Sequence, residues 1–309
     1  SFPAYAQDLL DLVGVGPKKV SAVVPNFNYA RFLHQRVASI LNQTYPVAEI
    51  VILDDASTDN SRQVIEQLIG ICDIPVRFVA NTENSGSVFK QWYNGAELAT
   101  SDYLWIAEAD DLAAPDFLEN VMRPFVQDHV VLSYSQSKQM AHDGSITDEN
   151  YLTYVSDLSP TQWQYDYLRG GEDEIVDGLS VKNTIPNVSA VVFKRRVLLD
   201  SMRHKMQEIL KYRVAGDWVT YIEVLRRGSC AFCAKSLNMQ RRHDNSVTIS
   251  RFDITQLKEI VAVQREIASR FPVSEQMKDT ADKYAQTLYR QFKLDTEFEN
   301  YKQNPELAE

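Results

Sequence analysis

The chain has 309 residues, 44% hydrophobic and 24% charged, with a formal net charge of −10 at pH 7. That is the make-up of an ordinary soluble protein with one large core or two modest ones. The acidic balance argues against nucleic acid or an anionic membrane surface as the main partner. No run approaches the ~20 apolar residues of a membrane helix, so no integral span is expected. Three cysteines are too few for a disulfide framework, and Cys230 and Cys233 lack the second pair a zinc site needs. An offset of three along a strand sends those two thiols to opposite faces. The expected setting is reducing and cytoplasmic, whether free or peripheral to the inner membrane face. A start at Ser1 rather than Met is expected of a piece cut from a longer polypeptide with other modules.

In chain order, residues 1–17 form a lead-in with a short helix over 6–12. From Lys19 onward β and α patterns alternate. Apolar runs predict strands over 20–24, 50–53, 76–79, 103–107 and 130–134. Helical stripes fall between them, over 31–42, 61–69, 88–99 and 115–125. Gly70 is placed to end the second helix, and Pro115 opens the fourth. Residues 135–185 are polar and aromatic with few clear elements, an excursion expected over the active face. A strand over 188–193, a helix over 217–227 and a strand over 230–234 follow. From 254 to 292 the chain is helical, broken near Pro272. Short apolar strands alternating with amphipathic helices predict a mostly parallel sheet covered on both faces. The boundaries expected are a lead-in (1–17), a nucleotide half (18–134), an acceptor half (135–250) and a helical extension (251–309).

In such sheets ligands bind beyond the carboxyl ends of the strands. Residues 26–28, 54–59, 81–86 and 108–111 all fall there. Glu108, Asp110 and Asp111 put three carboxylates in four residues behind a buried strand. They repel and raise one another's pKa unless a cation neutralises them. A hard divalent ion, Mg²⁺ or Mn²⁺, suits that role and also grips substrate phosphates. Asp55, Ser57, Asp59, Ser61, Gln63 and Glu66 fall at the ligand spacing of a calcium loop. Asn60 replaces the required Gly, however, and a strand precedes the loop, so that reading is set aside.

Taken in order, Val23-Val24-Pro25-Asn26-Phe27-Asn28, Asp54-Asp55-Ala56-Ser57-Thr58-Asp59, Asn84-Ser85-Gly86 and Glu108-Ala109-Asp110-Asp111 closely resemble the family 2 glycosyltransferases of GT-A fold. The likeness is densest over 18–125 and looser to about 250. It implies that Asp55 accepts a hydrogen bond from the donor base, with Asp54 supporting the turn and Pro25, Asn26 and Asn28 lining the first loop. Asn84 and Gly86 belong to the same nucleotide site. Where the family has an Arg-Asn pair, this chain has Lys90 to Asn94, which makes Lys90 the candidate basic partner. Asp110 and Asp111 match the metal-binding end of the acidic motif, and Asp110 also faces the nucleotide. Glu108 stands where the family has Asp. Asp217, opening a helix before Trp218, matches the catalytic carboxylate. His243, in Arg241-Arg242-His243, resembles a segment closing over the diphosphate or metal. Asn187 and Trp218 are the acceptor-side candidates.

The implied activity is inverting, metal-dependent transfer of a hexosyl or deoxyhexosyl group from a nucleotide-diphosphate sugar to a hydroxyl of a carbohydrate or lipid-linked glycan. Bacterial surface polysaccharide synthesis is the expected setting. Two rival readings are a non-catalytic glycan-binding module and a sugar-nucleotide pyrophosphorylase. The second should carry a Gly-rich, basic first loop, which Pro25-Asn26-Phe27-Asn28 is not.

Overall fold

A computed structural model describes residues 18–242, 252–292 and 294. The lead-in before residue 18 and His243 lie outside the described residues. Strand β1 (Val20–Asn26) is buried along its whole length, as is β2 (Glu49–Asp54). Side chains alternate across a strand, so both faces of the sheet must be covered. Val20, Ala22 and Val24 therefore enter one core with Ile50 and Ile52, while Val23 enters the other with Val51 and Leu53. The first core is closed by helices α1 (Ala30–Leu41) and α2 (Ser61–Ile69). The second is closed by α3 (Val88–Leu98), which follows β3 (Val76–Ala80).

Strand β4 (Tyr103–Ile106) pairs parallel to β1, completing a wholly parallel nucleotide half in the order β3-β2-β1-β4. The two-residue β5 (Leu112–Ala113) and helix α4 (Phe117–Met122) follow. The predicted helix over 115–125 is shorter because a tighter 3₁₀ turn, Arg123–Val126, takes over at Pro124. Strand β6 (Val130–Met140) runs well past the predicted end at 134.

The excursion after it is tied down by two small strands, β7 (Ile146–Asp148) on β6 and β8 (Tyr167–Gly170) on β10 (Ser229–Arg241). Between them lie short helical turns. Strand β9 (Val191–Lys194) sits antiparallel between β4 and β6 and joins the two halves into one sheet. Residues 188–190, predicted as strand, form a 3₁₀ turn, because Asn187 accepts from the N–H of Ser189 and bends the chain. Helix α5 (Arg195–Ile209) is absent from the sequence reading; α6 (Gly216–Leu225) carries Asp217 in its first turn.

Strand β10 pairs parallel with β6 and is far longer than the predicted 230–234. Cys230 and Cys233 are free thiols that enter different cores, as their spacing requires. Helices α7 (Ile254–Arg270) and α8 (Glu275–Gln291) form the C-terminal pair, broken around Pro272 as predicted. Asp253 caps α7 with a reciprocal bond to Gln256. No helix among the described residues is long and apolar enough to cross a membrane.

Candidate active site

The loops after β1, β2, β3 and β4 converge on one cavity of about 710 Å³. The turn after β2 is fixed by its own carboxylates. Asp54 accepts from Asn26 Nδ2 at 2.7 Å and from the Ser57 hydroxyl and N–H, so it holds the turn and does not line the cavity. Ala56 is forced into the left-handed region at φ 60°, a conformation costing roughly 1–2 kcal/mol for a residue with a Cβ. Asn28, also left-handed at φ 59°, turns its Oδ1 to the N–H groups of Thr58 and Asp59. It thereby ties the first loop to the second and stays outside the cavity lining.

Asp55 is the polar floor. Its Oδ1 accepts from Asn81 Nδ2 (2.6 Å), the Ser85 N–H (2.9 Å) and Gln91 Nε2 (3.0 Å), while among the described residues Oδ2 accepts only the Ser85 hydroxyl (2.7 Å). Oδ2 therefore keeps a lone pair for a ligand donor. Asn84 reaches across to the Asp55 carbonyl and accepts from the N–H of Gly86, whose φ of 74° suits a residue without Cβ. Pro25, Asn26, Asn84 and Gly86 line the cavity together with Asp55. Lys90 does not: its exposed ammonium donates back to the Ser85 carbonyl at 2.9 Å. The cations along the wall are instead Lys211, Arg213, Arg241 and Arg242.

Glu108, Asp110 and Asp111 all line the cavity. Glu108 accepts from Trp92 Nε1 at 2.8 Å; burial first, then Asp110, pushes its carboxyl up to about 8. Asp111 accepts from the Arg241 N–H (2.8 Å) and Asn187 Nδ2 (3.0 Å), and burial with Asp110 beside it pushes it up to about 6. Pairing of β5 with β10 brings these groups together: Leu112 faces Met239, so the end of β10 delivers Arg241 to the loop. The Arg241 guanidinium is committed to carbonyls, to Asp110 O at 2.8 Å and His142 O at 2.9 Å. Beneath the cluster lies fully buried Arg36, 4.7 Å from the Trp105 ring centroid and without a hydrogen-bond partner among the described residues. Burial lowers its pKa to about 10, against the pull of Asp111 and Asp110. Sequence reasoning missed Arg36, because an arginine between Leu33 and Val37 reads as the polar face of a helix.

These features test the fit of a divalent ion. No group of three or more His, Cys, Asp or Glu side chains among the described residues is arranged as a complete metal cage. The all-oxygen chemistry of these carboxylates, with Glu108 and Asp111 pushed upward by burial and by Asp110 beside them, does fit a hard ion completed by phosphate oxygens. Asp110 and Asp111 are the residues that would hold it.

Asp217 lines the cavity on the side of the second half. Its Oδ1 accepts from the Trp218 N–H at 2.6 Å and Oδ2 from Asn183 Nδ2 at 3.0 Å. Burial outweighs these bonds and pushes its carboxyl up to about 7. Gly216 before it has no room for a side chain, since a Cβ would lie 2.4 Å from Phe89 of α3. Asn187 lines the cavity, but Trp218 is turned into the core, its indole N–H donating to the Leu179 carbonyl at 3.1 Å. Phe27, Tyr29 and the 210–214 loop also line the cavity, and no spacing in the sequence signals them.

A nucleotide-type rim on a parallel half-sheet, an acidic centre and a carboxylate facing them from an antiparallel-joined half define the GT-A class of glycosyltransferase. The profile described as Glycosyl transferase family 2 matches residues 21–169 of this chain. An uncharacterized glycosyltransferase of Nostoc sp. is 38% identical over 115 residues, 37% of this chain and 34% of that one. A Bacillus subtilis protein provisionally named as the teichuronic acid biosynthesis glycosyltransferase TuaG is 26% identical, over 80% of this chain and 88% of its own length. Among solved structures, the mannosyltransferase PcManGT of Pyrobaculum calidifontis, in complex with GDP-Man and Mn²⁺, superposes with a TM-score of 0.58. It is 16% identical and is matched over 93% of this chain and 77% of that one, a likeness of fold.

Proposed function

We propose that this glycosyltransferase is inverting and metal-dependent, taking a nucleotide-diphosphate sugar as donor and a hydroxyl of a carbohydrate or lipid-linked glycan as acceptor. The observation that carries the reading is one cavity lined by Asp55, by Asp110 and Asp111, and by Asp217. Asp55 Oδ2 accepts an N–H of the donor base. Asp110 and Asp111 would hold Mg²⁺ or Mn²⁺, and the ion would supply positive charge to offset what grows on the departing diphosphate. Asp217 takes the proton of the acceptor hydroxyl as its oxygen bonds to the anomeric carbon. The bond from that carbon to the diphosphate breaks, and the nucleoside diphosphate leaves with the electron pair. A single displacement from the opposite face inverts the anomeric configuration. A pKa near 7 matches a base working at neutral pH. The likeness to TuaG supports a role in bacterial surface polysaccharide synthesis.

The test is nucleoside diphosphate release from a panel of nucleotide sugars with Mn²⁺, followed by NMR of the product's anomeric proton. Release from one nucleotide series with an inverted product agrees with the proposal. A retained configuration refutes single displacement, and binding without release favours the non-catalytic module.

A further inference from the structure

Two segments flank Asp217, and both are gripped by the C-terminal helices. The first is the 213–215 turn that opens α6. Glu259, on α7 and 8% exposed, accepts three successive backbone N–H groups there. Arg213 donates to Oε1 at 2.8 Å, and Val214 and Ala215 donate to Oε2 at 2.9 and 3.0 Å. Charge-assisted bonds of this kind are about twice as strong as neutral ones, and three converging on one buried carboxylate leave the turn little freedom. The second segment carries Asn183, which donates to Asp217 Oδ2. Gln264 of α7 donates to the Val181 carbonyl at 2.7 Å. Next to it, buried Lys182 bonds Asp157 and lies 4.2 Å from the ring centroid of Tyr284 on α8.

We propose that Glu259 is a positioning residue for Asp217, and that the C-terminal helix pair is thereby a working part of the catalytic site. The proposal rests on Asp217 being the base. On its other side the same turn is stopped by Phe89, which leaves no space for a Cβ at Gly216. The start of α6 is thus wedged between α3 and a carboxylate 43 residues further along the chain. Without the carboxylate, the three N–H groups lose their shared acceptor and the turn relaxes away from Phe89, taking Asp217 with it. A displacement of about 1 Å costs on the order of 10²-fold in rate. Asp55, Asp110 and Asp111, the groups proposed to hold the donor and the metal, lie on loops of the first half that Glu259 does not touch; of the cations along the wall, Arg213 is the one on the turn it grips.

The experiment measures kcat with the donor found active and, separately, the Kd of its nucleoside diphosphate with Mn²⁺, for three variants of the full chain. Glu259→Gln keeps size but removes the charge, and Glu259→Asp keeps charge but shortens the reach. Glu266→Gln, on the same helix as Glu259, removes ion pairs with Arg270 and with Lys205 of α5 without touching the 213–215 turn. The expected result is a kcat about 10- to 100-fold lower in Glu259→Gln, an intermediate loss in Glu259→Asp, a nucleotide Kd that changes far less than kcat throughout, and an unchanged Glu266→Gln. Wild-type kcat in Glu259→Gln overturns the proposal, as does a loss of kcat and nucleotide affinity in parallel. Should Glu259→Gln not fold, Glu259→Asp decides: reduced kcat at unchanged Kd supports the role, and wild-type kcat removes it. Full turnover in Asp217→Asn is a failure of the base assignment itself. An inactive Asp217→Asn beside a fully active Glu259→Gln is a failure of this proposal alone.

Discussion

Asp217→Asn should remove activity and change the pH dependence of stability at once. The carboxyl moves from 3.8 to about 7 on folding, chiefly through burial. Such a group holds its proton more tightly in the folded state. The native protein therefore loses stability as pH rises from about 4 to about 7, and the loss is constant above that. At about 1.4 kcal/mol per pH unit the full penalty is about 4 kcal/mol. Water reaches part of this side chain, so about 2 kcal/mol is the working figure. The asparagine cannot ionise and escapes that penalty. It does set one amide N–H₂ against another at Asn183, at a cost that does not vary with pH. The quantity to measure is thus the difference in unfolding free energy between variant and wild type, by urea titration at pH 4.5 and pH 8.5. That difference should shift by about 2 kcal/mol in favour of the variant between the two values. In turnover, wild-type kcat should rise with pH through a midpoint near 7, and the variant should lose about 10²- to 10⁴-fold. A variant within tenfold of wild-type kcat, or a stability difference flat with pH, refutes the assignment.

Other substitutions probe the remaining parts. Asp111→Ala should abolish transfer at an unchanged fold, as should excess chelator on the wild type; full activity in either contradicts the metal assignment. Asp55→Asn preserves an oxygen for the Asn81, Ser85 and Gln91 donors but turns the free acceptor at Oδ2 into a donor. Nucleotide Kd should rise about 10- to 100-fold, equivalent to about 1.5–3 kcal/mol, while the urea midpoint moves little. Gly216→Ala drives a methyl into Phe89 and should cost about 1–3 kcal/mol in urea unfolding together with a lower kcat; wild-type behaviour would show that the contact is soft.

What the sequence made legible is local. Apolar runs ending in polar loops located β1 to β4 and the rim residues; β1, β2 and β4 are buried along their length, which an apolar run must encode, while β3, at the sheet edge, is only half-buried. Helix α5 escaped because Leu198, Ser201, Met202 and Ile209, its fully buried face, are set among the charged residues Arg195, Arg196, Asp200, Arg203, Lys205 and Glu208. The tail of β10 escaped because Lys235, Asn238 and Gln240 carry no strand signal; its length is set by β6, about a hundred residues away. The family resemblance put Lys90 and Trp218 at the site, yet the structure spends the first on a loop carbonyl and the second on the core. Arg36 and Glu259 show the converse. Each is a charge on a helix that reads as solvated, and only the packing shows it facing inward.

The central claim is that this cavity holds a nucleotide diphosphate together with a divalent ion. The most direct test is the melting temperature of the protein with nucleoside diphosphates and nucleotide sugars, each with and without Mn²⁺. A ligand at a hundred times its Kd stabilises the native state by about 2.7 kcal/mol. A rise of several degrees is predicted for one nucleotide series, present with Mn²⁺ and lost in Asp111→Ala. No shift with any nucleotide, or an equal shift without metal, would contradict it.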